Sequence, residues 1–329
     1  MADAPFRKIL VPLDSSTLSA GILPWVSSFA KRLGAELELI TVIGDDDEPV
    51  GSLIDRGQLV EFQVNGSKPQ SELRHEFDAT LVAVGDRLPD RAASRLERIA
   101  AGVRRSGVGA GTSVLHGDPP AEIIRAAHET GCDMIAMSTH GRVGIGRGLL
   151  GSTTDRVVHA ADLPMLIVRP DSIEPSERLH SRFPAVVLAA LDGSKLAEGC
   201  IGPAAAIAER VGGDLRLVRA YEPPVAGVSV DAPYGELELT RRHLREEAQQ
   251  YLDRKAAGLR EEGITVALDV VAGPADRALV KLSRRWPASL LVIGTRGRSG
   301  LTRWVLGSVT DKVIRSSGRP VLVIPPKFS

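Results

Sequence analysis

The chain has 329 residues, of which 43% are hydrophobic, and its 41 basic side chains balance 41 acidic ones. A formal net charge of zero supplies no long-range basic field to draw nucleic acid or an anionic membrane. No apolar run reaches the roughly 18 residues of a membrane span, and the opening MADAPFRK has no signal-peptide core, so a cytoplasmic protein is expected.

Ile9–Leu13 is a short continuous apolar run, suited to a strand buried on both faces. Leu18, Ile22, Trp25, Phe29 and Leu33 follow at helical spacing, with Gly34 as a stop. Ala35–Ile43 reads as a second strand. From Gly44 to Asp90 the pattern weakens. GDDDEPVG reads as an exposed acidic loop, Leu59–Val64 and Leu81–Val84 are unordered strand candidates, and the favoured reading is a surface insertion without chemistry. Ala92, Leu96, Ile99 and Val103 mark a helix, Thr112–Leu115 a third strand, Ile123–His128 a helix, and Met134–Met137 a fourth strand. A glycine-rich loop, a helix through Val157 and Val158, and strand Pro164–Val168 complete the unit.

The order then repeats. Val186–Leu191, a helix to Val211, Leu215–Ala220, a long helix near Glu236–Glu262, Val266–Val271, a helix, Leu290–Ile293, a second glycine-rich loop and Val321–Ile324 follow in turn. The loops match most closely: THGRVGIGRGLLGSTTD at Thr139–Asp155 and TRGRSGLTRWVLGSVTD at Thr295–Asp311, with Gly141, Gly144 and Gly151 each 156 residues before Gly297, Gly300 and Gly307. Upstream the offset is 178, pairing Asp14 with Asp192, so the first copy carries 22 more residues between about Ile43 and Thr112. A repeat of this length sets the domain count. The expected domains are 1–171, with an insertion near 44–90, and 184–329, joined by a linker at 172–183. Each is expected to be a doubly wound α/β domain, a five-stranded parallel sheet flanked by helices, because parallel neighbours need right-handed crossovers. Ligands in such sheets lie at the carboxyl ends of strands, where strand order reverses. Asp14, Asp192 and the two loops all fall there, giving one pocket per repeat.

A polyphosphate needs several converging N–H donors with no side chains in the way, and glycine permits that approach. A helix starting after Gly307–Ser308 adds free N–H groups and the positive dipole end. The hydroxyls of Ser308 and Thr310, and of Ser152 and Thr154, are placed to donate to phosphate. Asp14 and Asp192 can accept from a ribose hydroxyl or an adenine amino group. The competing reading is that the glycines only make tight turns; two copies with matched Gly, Ser, Thr and Asp weigh against it. No G-x-x-x-x-G-K-[ST] occurs. Gly146-x-Gly148-x-x-Gly151 matches the dinucleotide pattern but starts about nine residues past the strand end, so it is read as coincidence.

Gly294-x-x-Gly297, nine residues, then Gly307–Ser308 resembles the ATP-binding signature of the universal stress protein family, and ILVPLDSS (Ile9–Ser16) and LAALDGS (Leu188–Ser194) resemble its first strand and Asp. The resemblance spans nearly the whole chain as a tandem pair. It implies ATP, with or without Mg, held without a dedicated catalytic apparatus. It also implies pairing through fifth strands, which a tandem chain can satisfy internally; a homodimer is the other arrangement. By position, the family's adenine-side contacts fall on Asp192 and Ala220, and its phosphate side on Gly294, Arg296, Gly297, Gly307, Ser308, Val309 and Thr310. The first repeat's counterparts are Asp14, Val42, Ser138, His140, Gly141, Gly151, Ser152, Thr153 and Thr154. Ser138 stands where the motif has its first glycine, and Ala190 stands where the first repeat has Pro12. Tighter ATP binding is therefore expected in the second repeat.

Other residues carry less. His140 has Arg296 as counterpart, which favours a positioning or charge contact over a catalytic base, and the remaining histidines lack metal-ligand spacing. Asp155 and Asp311 read as first-turn helix acids, with a magnesium role the minority alternative. Trp304 reads as a packing or interface residue, while Arg142 and Arg298 either close over phosphate or bridge to a neighbouring domain. Cys132 and Cys200 read as reduced, packed thiols. The leading expectation is an ATP-binding regulatory or stress-response factor with an unidentified protein partner. The alternatives are a slow ATPase, for which no paired base and nucleophile is evident, and an interaction module with vestigial pockets.

Overall fold

The computed structural model describes residues 6–14, 16–44, 87–139, 150–169, 183–223, 234–286, 289–295 and 306–326. The acidic loop after Gly44, both strand candidates of the insertion, the linker up to residue 182, His140, Gly141, Arg142, Arg296, Gly297, Arg298 and Trp304 lie outside them. The first half runs β1 (Lys8–Pro12), α1 (Thr17–Ala20), α2 (Leu23–Leu33), β2 (Glu36–Ile43), α3 (Arg87–Arg105), β3 (Ala110–His116), α4 (Pro119–Glu129), β4 (Met134–Ser138), α5 (Ser152–Ala160) and β5 (Met165–Val168). The second half repeats it: β6 (Val186–Ala190), α6 (Lys195–Glu198), α7 (Ile201–Val211), β7 (Asp214–Tyr221), α8 (Tyr234–Glu261), β8 (Val266–Ala272), α9 (Ala275–Ser283), β9 (Ser289–Gly294), α10 (Ser308–Ser316) and β10 (Val321–Ile324).

The continuous helix expected from Leu18 to Leu33 is instead two pieces. α2 restarts after Ile22 with Pro24 in its first turn, and α7 likewise carries Pro203 in its first turn. A proline there loses nothing, because first-turn N–H groups have no intrahelical acceptor. Both helices stop at a left-handed glycine, Gly34 and Gly212, each with φ of 65°. A residue with a Cβ enters that conformation only at a cost.

The strand order is β3-β2-β1-β4-β5-β10-β9-β6-β7-β8. Each half therefore keeps the order expected of a doubly wound unit, reversing direction between its first and fourth strands. The halves do not remain separate sheets. β5 and β10 pair antiparallel, with Leu322 opposite Leu166, and every other pairing is parallel. The five expected strands per domain become one ten-stranded sheet.

Helices cover both faces, which is why the central strands read as unbroken apolar runs. α2, α3, α7 and α8 bury Phe29, Leu96, Ile207 and Leu252 on one face. α4, α5, α9 and α10 bury Ile123, Val157, Leu279 and Val313 on the other. The first of these cores is continuous across the halves, joining Trp25 and Phe29 to Phe183, which is fully buried. The Trp25 ring lies 5.3 Å from Phe183, near edge-on, and 4.9 Å from Phe29.

Candidate functional site

In the second half, β6, β7, β9 and the two helices that follow β8 and β9 enclose a cavity of about 300 Å³ at the strand reversal point. Ala190, Leu191 and Asp192 close it from β6, Val218, Arg219, Ala220 and Glu222 from β7, and Ala275 and Leu279 from α9. Ala197 of α6 and Ile293, Gly294, Gly307, Val309 and Thr310 complete the wall. Of the residues named in advance for this half, Asp192, Ala220, Gly294, Gly307, Val309 and Thr310 thus line one space. Ser308 follows Gly307 on an exposed position of α10. In the first half, Asp14 follows β1, Val42 sits on β2, Ser138 ends β4, and Gly151, Ser152, Thr153 and Thr154 open α5.

The Asp192 carboxylate is exposed at the mouth. One of its oxygens accepts the Ser194 amide at 2.9 Å, and Ser194 Oγ accepts from Ala197 N at 3.2 Å to cap α6. Asp14 repeats the turn, accepting from Ser16 N at 2.9 Å. A carboxylate anchored through one oxygen presents the other in a fixed direction, as selective recognition of a hydroxyl or amino group requires.

Opposite the acid, Gly307 is the N-cap of α10 with φ −64° and ψ 146°, and no side chain caps the helix. Gly151 occupies the same place on α5, with φ −60° and ψ 143°. The N–H groups of Ser308, Val309 and Thr310 belong to the first turn, where no intrahelical acceptor exists. The partial positive charge of the helix end adds to them. An anion of phosphate size is the natural complement.

Some of the expected phosphate-side residues also have partners inside the fold. Thr310 Oγ1 is buried and donates to the Gly294 carbonyl at 3.3 Å, and Thr154 Oγ1 donates to the Ser138 carbonyl at 2.9 Å. These hydroxyls were expected to donate to phosphate. A hydroxyl has one proton, and here it fastens the helix start to the end of the preceding strand. Gly294, expected to let phosphate approach, also has a tight neighbour inside the fold. A Cβ at Gly294 would lie 2.9 Å from the Leu196 carbonyl oxygen and 3.2 Å from Ala197 Cα, so the close neighbour is the backbone of α6. Gly294→Ala is accordingly expected to cost about 1–3 kcal/mol, the range for overpacking against atoms that cannot rotate away. Urea unfolding measures it, and an unshifted midpoint would mean that α6 yields freely.

Asp155 and Asp311 take part in ion pairs. Arg315 Nε lies 2.7 Å from Asp311, its other arm reaches Asp155 of the first half at 3.8 Å, and Arg169 donates to the Arg315 carbonyl at 2.7 Å. The two helices that begin at the glycine caps thereby meet across the junction of the halves. Sequence reasoning missed this bridge, since Arg315 has His159 as its counterpart. It also missed Arg219, Glu222, Ala275 and Leu279. The one available signal was a charged residue at the end of an apolar strand.

Among the described residues no group of three or more His, Cys, Asp or Glu is placed to hold a metal. Cys132 and Cys200 are buried free thiols, and burial pushes Cys200 up to about 12, far from a reactive thiolate. No described helix is long and apolar enough to cross a membrane.

The model of the Universal stress protein family matches residues 5–169 and again 185–325. A universal stress protein of Mycobacterium tuberculosis is 30% identical over 215 residues, covering 64% of this chain and 68% of its own length. One from Mycolicibacterium smegmatis is 27% identical over 321 residues, 97% of each chain. Among solved structures, a universal stress protein from Archaeoglobus fulgidus superposes with a TM-score of 0.62 at 23% identity, covering 97% of this chain and 98% of that one.

Proposed function

The chain belongs to the universal stress protein family, as two tandem domains, and from that premise we propose that it is an ATP-binding regulatory factor of the stress response. The observation that carries the reading is the second-half cavity, with a fixed carboxylate at one end and a helix start capped only by glycine at the other. Adenine and ribose lie on the Asp192 side, and the phosphates meet the first-turn amides of α10. The first half repeats the acid and the glycine cap and holds a second, weaker site, because Ser138 replaces Gly294 there. Occupancy biases the conformation seen by a protein partner in the cytoplasm. Among the described residues no nucleophile paired with a base borders the cavity, which favours holding the nucleotide over hydrolysing it.

Ligand linkage provides the test. A site filled at a thousandfold excess over its dissociation constant stabilises the fold by about 4 kcal/mol. Millimolar ATP is therefore expected to raise the melting temperature by several degrees, and nucleotide is expected to leave with the protein on denaturation after purification. A melting curve unmoved at millimolar ATP, with no nucleotide released, would remove the reading.

A further inference from the structure

Arg219 lies near the carboxyl end of β7, two residues before Tyr221, and lines the cavity with a side chain only 19% exposed. One flat side rests on the Tyr251 ring of α8, 4.4 Å from the ring centre. Tyr251 is itself held, donating to Glu198 at 3.0 Å, and Glu198 meets Lys255 at 2.7 Å. Burial raises the cost of ionising Glu198, yet its bonds from Lys255 and Tyr251 hold it below the usual carboxylate range, so the tether stays charged. Arg219 makes one long ion pair, 3.9 Å to the exposed Glu247, and no hydrogen bond among the described residues. A mostly buried planar donor, stacked in place and without a side-chain hydrogen bond from the described residues, suits an acceptor supplied by a ligand.

The first half is built differently at both positions. Thr41 is the counterpart of Arg219, and its hydroxyl donates to the Leu13 carbonyl at 2.9 Å. Arg95 is the counterpart of Tyr251, and its guanidinium donates to the main-chain oxygens of Asp14 at 3.1 Å and Ser16 at 3.5 Å. In that half the arginine secures the loop. In the second half the arginine comes from the strand and lines the cavity.

The cavity walls say which ligand atoms it meets. Val218, Leu279 and Ile293 belong to the apolar core on one face of the sheet and offer a surface for a base. Arg219 lies on the opposite face, against Tyr251, and a Cβ on Gly193, next to Asp192, would sit 3.4 Å from its terminal nitrogen. A fixed acceptor and a fixed donor therefore stand together beside the apolar wall. A ribose 2′-hydroxyl both donates and accepts, and it satisfies the two at once.

We infer that Arg219, acting with Asp192, reads the ribose 2′-hydroxyl and makes the second-half pocket selective for ribonucleotides over deoxyribonucleotides. The inference rests on the nucleotide reading above and adds its specificity-determining residue. The test titrates ATP and 2′-deoxy-ATP into the full chain, with Gly151→Asp in every arm to silence the first half, and compares Arg219 with Arg219→Met. ATP affinity is expected to fall at least tenfold on the substitution, while 2′-deoxy-ATP changes less than twofold. Tyr251→Leu, which removes the support without touching ligand, should give a smaller loss with the same insensitivity to the deoxy compound. Equal losses for both nucleotides, equal affinity of the unsubstituted pocket for both, or binding confined to the first half would each overturn the inference while leaving ATP binding in place. Failure of the chain with Gly151 intact to bind either nucleotide would remove the nucleotide reading itself.

Discussion

Gly307→Asp is expected to weaken ATP binding in the second half by a hundredfold or more while leaving the unliganded fold as stable as before. The N-cap backbone at Gly307, φ −64° and ψ 146°, is the extended conformation in which aspartate is among the preferred caps. The new carboxylate can accept from the first-turn amides of α10, so stability changes by only a few tenths of a kcal/mol. It does so in the place proposed for phosphate. Two unit charges about 4 Å apart near a protein surface repel by about 4 kcal/mol, more than the roughly 2.7 kcal/mol of a hundredfold loss. Calorimetric titration with a thermal melt of the free protein separates the two effects. Gly151→Asp, at the matching cap of α5, is expected to remove only a weaker component. If Gly151→Asp abolishes most binding and Gly307→Asp none, the ranking of the two sites is reversed. If neither matters, the glycine caps are turns and nothing more.

Phe183→Ala is expected to cost about 3–5 kcal/mol, the range for deleting a buried aromatic ring. Phe183 is fully buried just ahead of β6, and its ring meets Trp25 of α2 in the other half. The hydrogen-bonded junction between the halves is short, three residue pairs of β5 and β10. Shared side-chain packing, with α2 against α7 and Phe183 against Trp25, is expected to make the two halves unfold together. Scanning calorimetry of the parent is expected to show one transition. The substituted chain should show two, with ATP affinity unchanged because the cavity lies at the far end of β6 and β9. A single transition displaced by less than about 1 kcal/mol would mean that the halves are coupled by the strands alone.

Much of this architecture was legible in one dimension. The apolar runs became β1, β4, β6, β9 and β10 within a residue or two, because strands buried on both faces must be apolar throughout. The duplicated loops announced two units and put the glycine caps at Gly151 and Gly307. The Leu18–Leu33 helix was misread, since spacing continues across Gly21 and Ile22 while the backbone restarts to place Pro24 in a first turn. The contacts of Thr154, Thr310 and Gly294 inside the fold were not legible. A Gly, Ser, Thr pattern reads the same whether its partner is a ligand or the next turn of chain.

The sequence alone determined the order of elements, the duplication and the ends of the strands at which a ligand can sit. These follow from local periodicity and from turn chemistry, which need no knowledge of distant residues. Only the tertiary structure decided that β5 and β10 fuse the halves, that Arg315 spans them, and that Arg219 rests on Tyr251 while Arg95 fastens the Asp14 loop. Those pairings join residues far apart in the chain, and sheet order sets which of them meet.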